Sequence, residues 1–148
     1  MLIKVKKSAK KEDIYKIYDL VEAYYEEIDK TKLNRLTTVR AIRNNLLNKN
    51  HSYFYIKFQN KKIGLIHLYI TKRFADLCLI YILPEFRNMG LGKSSLKDIL
   101  NLLKRRGIKK LFIEISSGNK SSFNFFKKNL FKDLETKIKS YIYEVNLK

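Results

Sequence analysis

Arg87, Gly90 and Gly92 are spaced as a backbone that grips phosphate would need. Glycine lets a chain turn with free φ and lie close to a ligand. The run Leu77–Leu83 before them is apolar, contains Ile80 and Ile82, and has the length of a buried strand. Pro84 stops that strand, because proline has no N–H to give a ladder. After Lys93, apolar residues recur at Leu96, Ile99, Leu100 and Leu103, the spacing of one helix face. The order is strand, glycine loop, helix. A helix start offers unpaired N–H groups and partial positive charge to an anion.

Three kinds of glycine loop compete for this stretch. Gly92-Lys93-Ser94 looks like the end of an ATPase phosphate loop, but that motif needs glycine where Arg87 stands. Gly90-Leu91-Gly92 with Ser95 partly fits a dinucleotide fingerprint, with Glu114 about twenty residues on. Against it, Pro84 to Met89 separate the strand from the first glycine. The third fits best. Pro84-Glu85-Phe86-Arg87-Asn88-Met89-Gly90-Leu91-Gly92 resembles the coenzyme A loop of the GCN5-related N-acetyltransferase (GNAT) family. Ile80-Tyr81-Ile82-Leu83-Pro84 is similar to the strand that leads into it. Asn119 and Phe131 match the family's second signature, where Ser122 replaces an alanine, Leu130 a glycine and Phe126 a tyrosine.

The resemblance implies acetyl transfer from acetyl-coenzyme A to a primary amine, with no metal. It implies that the backbone of Ile80, Tyr81 and Ile82 holds the pantetheine arm. The N–H groups of Asn88, Met89, Gly90, Leu91, Gly92 and Lys93 would hold the pyrophosphate, with Arg87 adding charge. Asn119 would touch the arm, and Phe126 would stand beside the cofactor in place of the acid tyrosine. A neutral amine needs a base, since a lysine-like amine has a pKa near 10.4. Glu114 is the carboxylate best placed for that; Glu26 and Glu27 are alternatives. Phe126 cannot protonate the leaving thiolate, so Tyr81, Tyr141 or Tyr143 would have to. His67 reads as structural, on one strand face with Ile63, Leu65 and Tyr69.

The elements that must position these groups follow from the pattern. Leu2–Lys6 alternates as a first strand; Glu12 and Asp13 open a helix whose apolar face is Ile14, Ile17, Leu20, Val21 and Tyr24. Thr37 or Thr38 can cap a second helix with face Val39, Ile42 and Leu46. Ser52–Phe58 and Lys62–Ile70 read as a hairpin, and Ala75–Leu83 as the next strand. The glycine-loop helix runs to about Arg106, with Gly107 past its end. Lys110–Ser116 is a strand parallel to the one before the loop, Ser121–Asn129 a short helix, and Phe131–Thr136 and Tyr141–Leu147 closing strands. The order is similar to the GNAT fold: mixed α/β, a mostly antiparallel sheet of about seven strands, four helices, with strands 4 and 5 parallel and splayed.

At 148 residues the chain is expected to be one acetyltransferase domain, residues 1–148. The single cysteine, Cys78, allows no intrachain disulfide and is expected to be a small buried hydrophobe. No apolar run suits a membrane span, no signal peptide opens the chain, and a reducing cytoplasm is the default. The net charge of +18 points to nucleic acid, but the lysines are scattered rather than striped, so that partner is disfavoured. Glu12, Asp13, Asp19, Glu22, Glu26, Glu27 and Asp29 crowd one segment, which favours a cationic acceptor. A coenzyme A-binding regulatory module without turnover and a basic nucleic-acid-binding protein are the other functions weighed. Monomer and homodimer are both left open.

Overall fold

A computed structural model describes residues 1–147. The elements are β1 (Leu2–Lys4), α1 (Lys11–Tyr24), α2 (Arg35–Leu47), β2 (His51–Phe58), β3 (Lys61–Ile70), β4 (Phe74–Ile82), α3 (Leu91–Arg105), β5 (Lys110–Glu114), α4 (Lys120–Phe126), β6 (Thr136–Lys139) and β7 (Ile142–Asn146). A π turn extends α1 (Tyr25–Asp29) and another extends α4 (Lys127–Phe131). The sheet order is β1-β2-β3-β4-β5-β7-β6, and only the β4–β5 pair is parallel. This is the mixed seven-stranded architecture expected. Among the described residues no helix is long and apolar enough to cross a membrane.

The helices form where the pattern puts them, with informative exceptions. Gln59 and Asn60 both take positive φ, as a two-residue hairpin turn that follows strand twist requires. α2 is capped by Asn34, whose Oδ1 accepts from the Thr37 N–H at 3.0 Å, not by Thr37 or Thr38. Asn is among the strongest cap residues and stands one helical turn earlier. Phe131 does not begin a strand. Its ring stacks on Tyr143 at 4.8 Å and packs against Phe126, which keeps the chain wound for another turn, so β6 starts at Thr136.

Two cores lie on opposite faces of the sheet. α3 and α4 cover Ile66, Leu68, Leu111, Ile113 and Val145 with Leu96, Ile99, Leu103 and Phe126. α1 and α2 cover Tyr53, Tyr55, Leu65, Leu79 and Tyr81 with Ile14, Ile17, Leu20 and Ile42. Alternation along β4 changes phase between these faces. Ala75 and Leu77 pack toward α3, whereas Leu79 and Tyr81 pack toward α1. The cause is a bulge: His67 pairs with Leu79 and Leu68 with Leu77, leaving Cys78 unmatched. Cys78 is therefore exposed, not the buried hydrophobe expected. A second irregularity, between Ile56 and Lys57, leaves Ile63 unmatched and sends it to the α3-side core, away from the face of His67.

The Cys78 bulge falls where β4 leaves β5. Their parallel pairing covers Phe74–Leu77 against Lys110–Ile113 and stops. β4 runs on to Ile82, while the Ile115 N–H turns to the Tyr141 carbonyl at 2.9 Å. The two strands splay, and a cleft opens between them.

Candidate active site

The loop after β4 exposes backbone donors. Pro84–Phe86 makes one 3-10 turn, Asn88 takes φ 61°, and Gly90 takes φ 78° as the residue before α3. That left-handed conformation is costly for most side chains, which explains a glycine there. The first α3 bond from this end is Ser94 N–H to the Gly90 carbonyl at 3.0 Å. The N–H groups of Leu91, Gly92 and Lys93 thus have no acceptor within the helix. A Cβ on Gly92 would come within 3.0 Å of the Phe125 ring, so the second glycine permits close packing by α4.

Arg87, expected to add charge for phosphate, is occupied. Its Nε donates to the Ile82 carbonyl at 2.9 Å, and its two terminal nitrogens donate to Glu27 at 2.7 and 2.9 Å. Glu27 also accepts from the Tyr81 hydroxyl at 2.9 Å. Arg87 first, and then Tyr81 with it, hold the Glu27 carboxyl below the usual range against an opposing effect of burial. Glu27 is a poor base in consequence, and Tyr81 points its proton at Glu27 instead of into the cleft. Burial, with Glu27 beside it, pushes the Tyr81 phenol up to about 12.

The cleft has a volume of about 580 Å³. The end of α1 and its π turn contribute Tyr24, Tyr25 and Asp29; β4 contributes Asp76 and Cys78. Glu114 and Ser116 come from the β5 side, Asn119 from the start of α4, and Ile142 from β7. Three carboxylates and two phenols thus surround one space. Asp76 is the half-buried carboxylate, and burial raises its pKa above the ordinary value. Burial raises both phenols too, and Asp29 and Glu114 push them the same way. Solvent reaches Cys78, but the crowding of the cleft walls and the neighbouring Asp76 lift its thiol to about 11.

The remaining expected residues divide. Glu114 and Asn119 reach the cleft; the Asn119 Oδ1 also accepts from the Ser122 N–H at 3.1 Å and so caps α4. Ile80 and Ile82 lie on the free edge of β4 with their side chains toward α3. Met89 is exposed in the loop. Tyr141 is 51% exposed in the β6–β7 turn, beside Ile142 of the cleft wall. Phe126 is 3% exposed, packed against Phe125 and Phe131 in the α3-side core, and lines no part of the cleft. With no hydroxyl to satisfy, the ring is free to bury completely. Asp76 was not anticipated from sequence, though a carboxylate interrupting an apolar strand was its signal. Helical spacing places Tyr24 on the packed face of α1 and gives no signal for Tyr25.

Known proteins are similar to this chain in sequence and in fold. The sequence model of the Acetyltransferase (GNAT) family matches residues 14–130, and the chain belongs to that family. A spermidine N(1)-acetyltransferase of Thermoplasma acidophilum is 32% identical over 82 residues, 55% of this chain. That match spans about half of the curated relative, 51% of its length. The structure of a PaiA N-acetyltransferase from the same organism, in complex with coenzyme A, aligns at a TM-score of 0.74. It is 17% identical, over 99% of this chain and 96% of its own. An aminoglycoside acetyltransferase from an uncultured soil metagenomic sample, in complex with sisomicin, aligns at 0.72. It is 13% identical, over 95% of this chain and 93% of its own. At these identities the two structures share the fold.

Proposed function

We propose that the protein is an N-acetyltransferase, a single domain over residues 1–148, that moves an acetyl group from acetyl-coenzyme A to a primary amine. The acceptor is read as polycationic, with linear polyamines first. One observation carries this: Asp29, Asp76 and Glu114 converge with Tyr24 and Tyr25 in a cleft that opens where β4 leaves β5, on the strand that ends at the glycine loop. Carboxylates attract ammonium groups, and phenol faces attract them further. A relative described as a spermidine acetyltransferase and a neighbour holding sisomicin support a polyamine-like acceptor.

The residues fit the cosubstrate. The N–H groups of Leu91, Gly92 and Lys93 suit a diphosphate, with those of Asn88, Met89 and Gly90 beside them. The β4 edge from Ile80 to Ile82, unpaired by β5, suits the amide-bearing pantetheine arm, and Asn119 can donate to it from the opposite wall. A coenzyme A complex of a protein with this fold supports that fit. The bound thioester supplies an acyl carbon open to attack by a neutral amine.

The chain's own groups prepare that attack. Asp76, desolvated and with raised proton affinity, is assigned as the base, directly or through water. Glu114 and Asp29, both exposed, hold the acceptor's other charges. A β4 N–H at the free edge offers stabilisation to the developing oxyanion. A thiol with a pKa near 8.5 leaves with little help, and Tyr141, next in sequence to Ile142 of the cleft wall, is assigned as the phenol that supplies a proton. The cell compartment we assign is the cytoplasm.

The second reading is a coenzyme A-binding module without turnover, favoured by the buried Phe126 where the family has a tyrosine. A thiol-release assay with a panel of amines decides. Linear polyamines should turn over faster than neutral or singly charged amines. Cosubstrate binding without thiol release from any amine would select the second reading.

A further inference from the structure

Arg87 occupies a loop position that would face phosphate, yet all three of its guanidinium nitrogens donate to protein. The two bonds to Glu27 form a parallel fork, which fixes direction as well as distance. The guanidinium lies 5.4 Å from the Tyr81 ring centre, and the Tyr81 hydroxyl donates to the same carboxylate. Glu27 belongs to the π turn Tyr25–Asp29, in which no residue is buried. Its carboxylate is the group of that turn hydrogen-bonded to the sheet and the loop beyond it. The same turn presents Tyr25 and Asp29 to the cleft. Tyr24, just before it, packs edge-on against both Tyr25 and Tyr81.

We propose that Arg87 and Glu27 are positioning residues for the amine acceptor: their paired bonds hold the π turn against the end of β4, so that Asp29 and Tyr25 face the cleft. This rests on the cleft being the acceptor site. Phosphate is then left to the loop amides and to Lys93. Glu27 is neither among the cleft-lining groups nor in the glycine loop, so removing it frees the turn without deleting a contact to either ligand.

The test uses Glu27→Ala, Arg87→Ala and the double variant. Glu27→Ala should raise the acceptor KM about fivefold, with kcat and the calorimetric Kd for acetyl-coenzyme A within about twofold. The double variant should do no more harm to the acceptor KM than the worse single variant, because one interaction is lost in each. Hydrogen exchange over residues 24–31 should speed up about tenfold in Glu27→Ala, while exchange over 91–96 stays as in the parent protein. The exchange readout needs no turnover, so an inert parent protein would sink the acetyl-transfer reading and still test the latch. Unchanged exchange over 24–31, additive KM losses, or weakened cosubstrate binding with an unchanged acceptor KM would each overturn the proposal.

Discussion

The glycine loop and the cleft between β4 and β5 both hang on β4, and they are built in opposite ways. The loop is contiguous, Pro84 to Lys93, and its working atoms are backbone N–H groups freed by a left-handed Gly90 and a helix start. The cleft gathers side chains far apart in sequence: Tyr24 and Asp29, Asp76, Glu114, Asn119 and Ile142. Between the two regions lies one bulge, at Cys78, which turns the strand over and parts it from β5. A site made of backbone needs only glycine and a helix start in the right order. A site made of side chains needs the whole fold before its members meet, and its chemistry can change one residue at a time.

The comparison breaks most visibly at the loop. Gly92→Asp puts a Cβ against Phe125 and a carboxylate among the free amides at the start of α3. Acetyl-coenzyme A binding, read by calorimetry, should weaken by about a hundredfold or more, from lost amide access and charge repulsion. Retained binding would mean that the loop is not where the diphosphate sits. In the cleft, loss should be graded by role. Asp76→Asn should lower kcat by roughly a hundredfold, at the modest end for a general base, with little change in acceptor KM. The parent rate should climb as pH rises through the elevated Asp76 pKa, because the base must be ionised, and the variant should lose that limb. Glu114→Gln should do the reverse, raising KM and sparing kcat; if it removes the pH limb instead, Glu114 is the base.

Smaller effects sharpen the contrast between the two faces. Phe126→Tyr places a hydroxyl in the α3-side core, away from the cleft. It should cost roughly 1–3 kcal/mol of stability in urea melts, the usual penalty for an unsatisfied buried polar group, and bring no gain in turnover. A several-fold gain would show that an acid had been missing. On the α1-side face, His51 and His67 approach with nitrogens 2.8 Å apart, and His67 stacks on Tyr53. Burial first, and then His51, bring His67 down to about 4 from 6.5. The unfolded chain therefore binds more protons between those values, so stability should fall as pH drops from about 6.5 toward 4. The loss should be on the order of 3 kcal/mol, and His67→Asn should flatten it.

What was legible in the sequence follows the same division. The strand, proline, glycines and helix stand side by side, so the loop could be read directly, and Gly107 and the Gln59-Asn60 turn were equally local. Asn119 is legible as a match to the family's second signature, and Glu114 as a carboxylate in the strand that the resemblance sets beside the splay. Ile63 departs from expectation because alternation runs through a bulge, and Cys78 because residue type alone predicts its burial; bulges are events of register between strands and leave no mark within one of them. Asp76 escaped because its meaning depends on β5 departing one residue later. Phe131 was read as a strand residue because a β-favouring aromatic says nothing of the two rings that hold it in a helical turn.

The most direct measurement is a crystal structure with acetyl-coenzyme A bound. The diphosphate should accept from the N–H groups of Gly90 to Lys93, and the sulfur should lie between the free edge of β4 and Asn119, within reach of Asp76. Arg87 should remain on Glu27. A loop left empty, or filled in parallel trials by ATP or a nicotinamide dinucleotide with the thioester lying elsewhere, would contradict the assignment of this cleft to acetyl transfer.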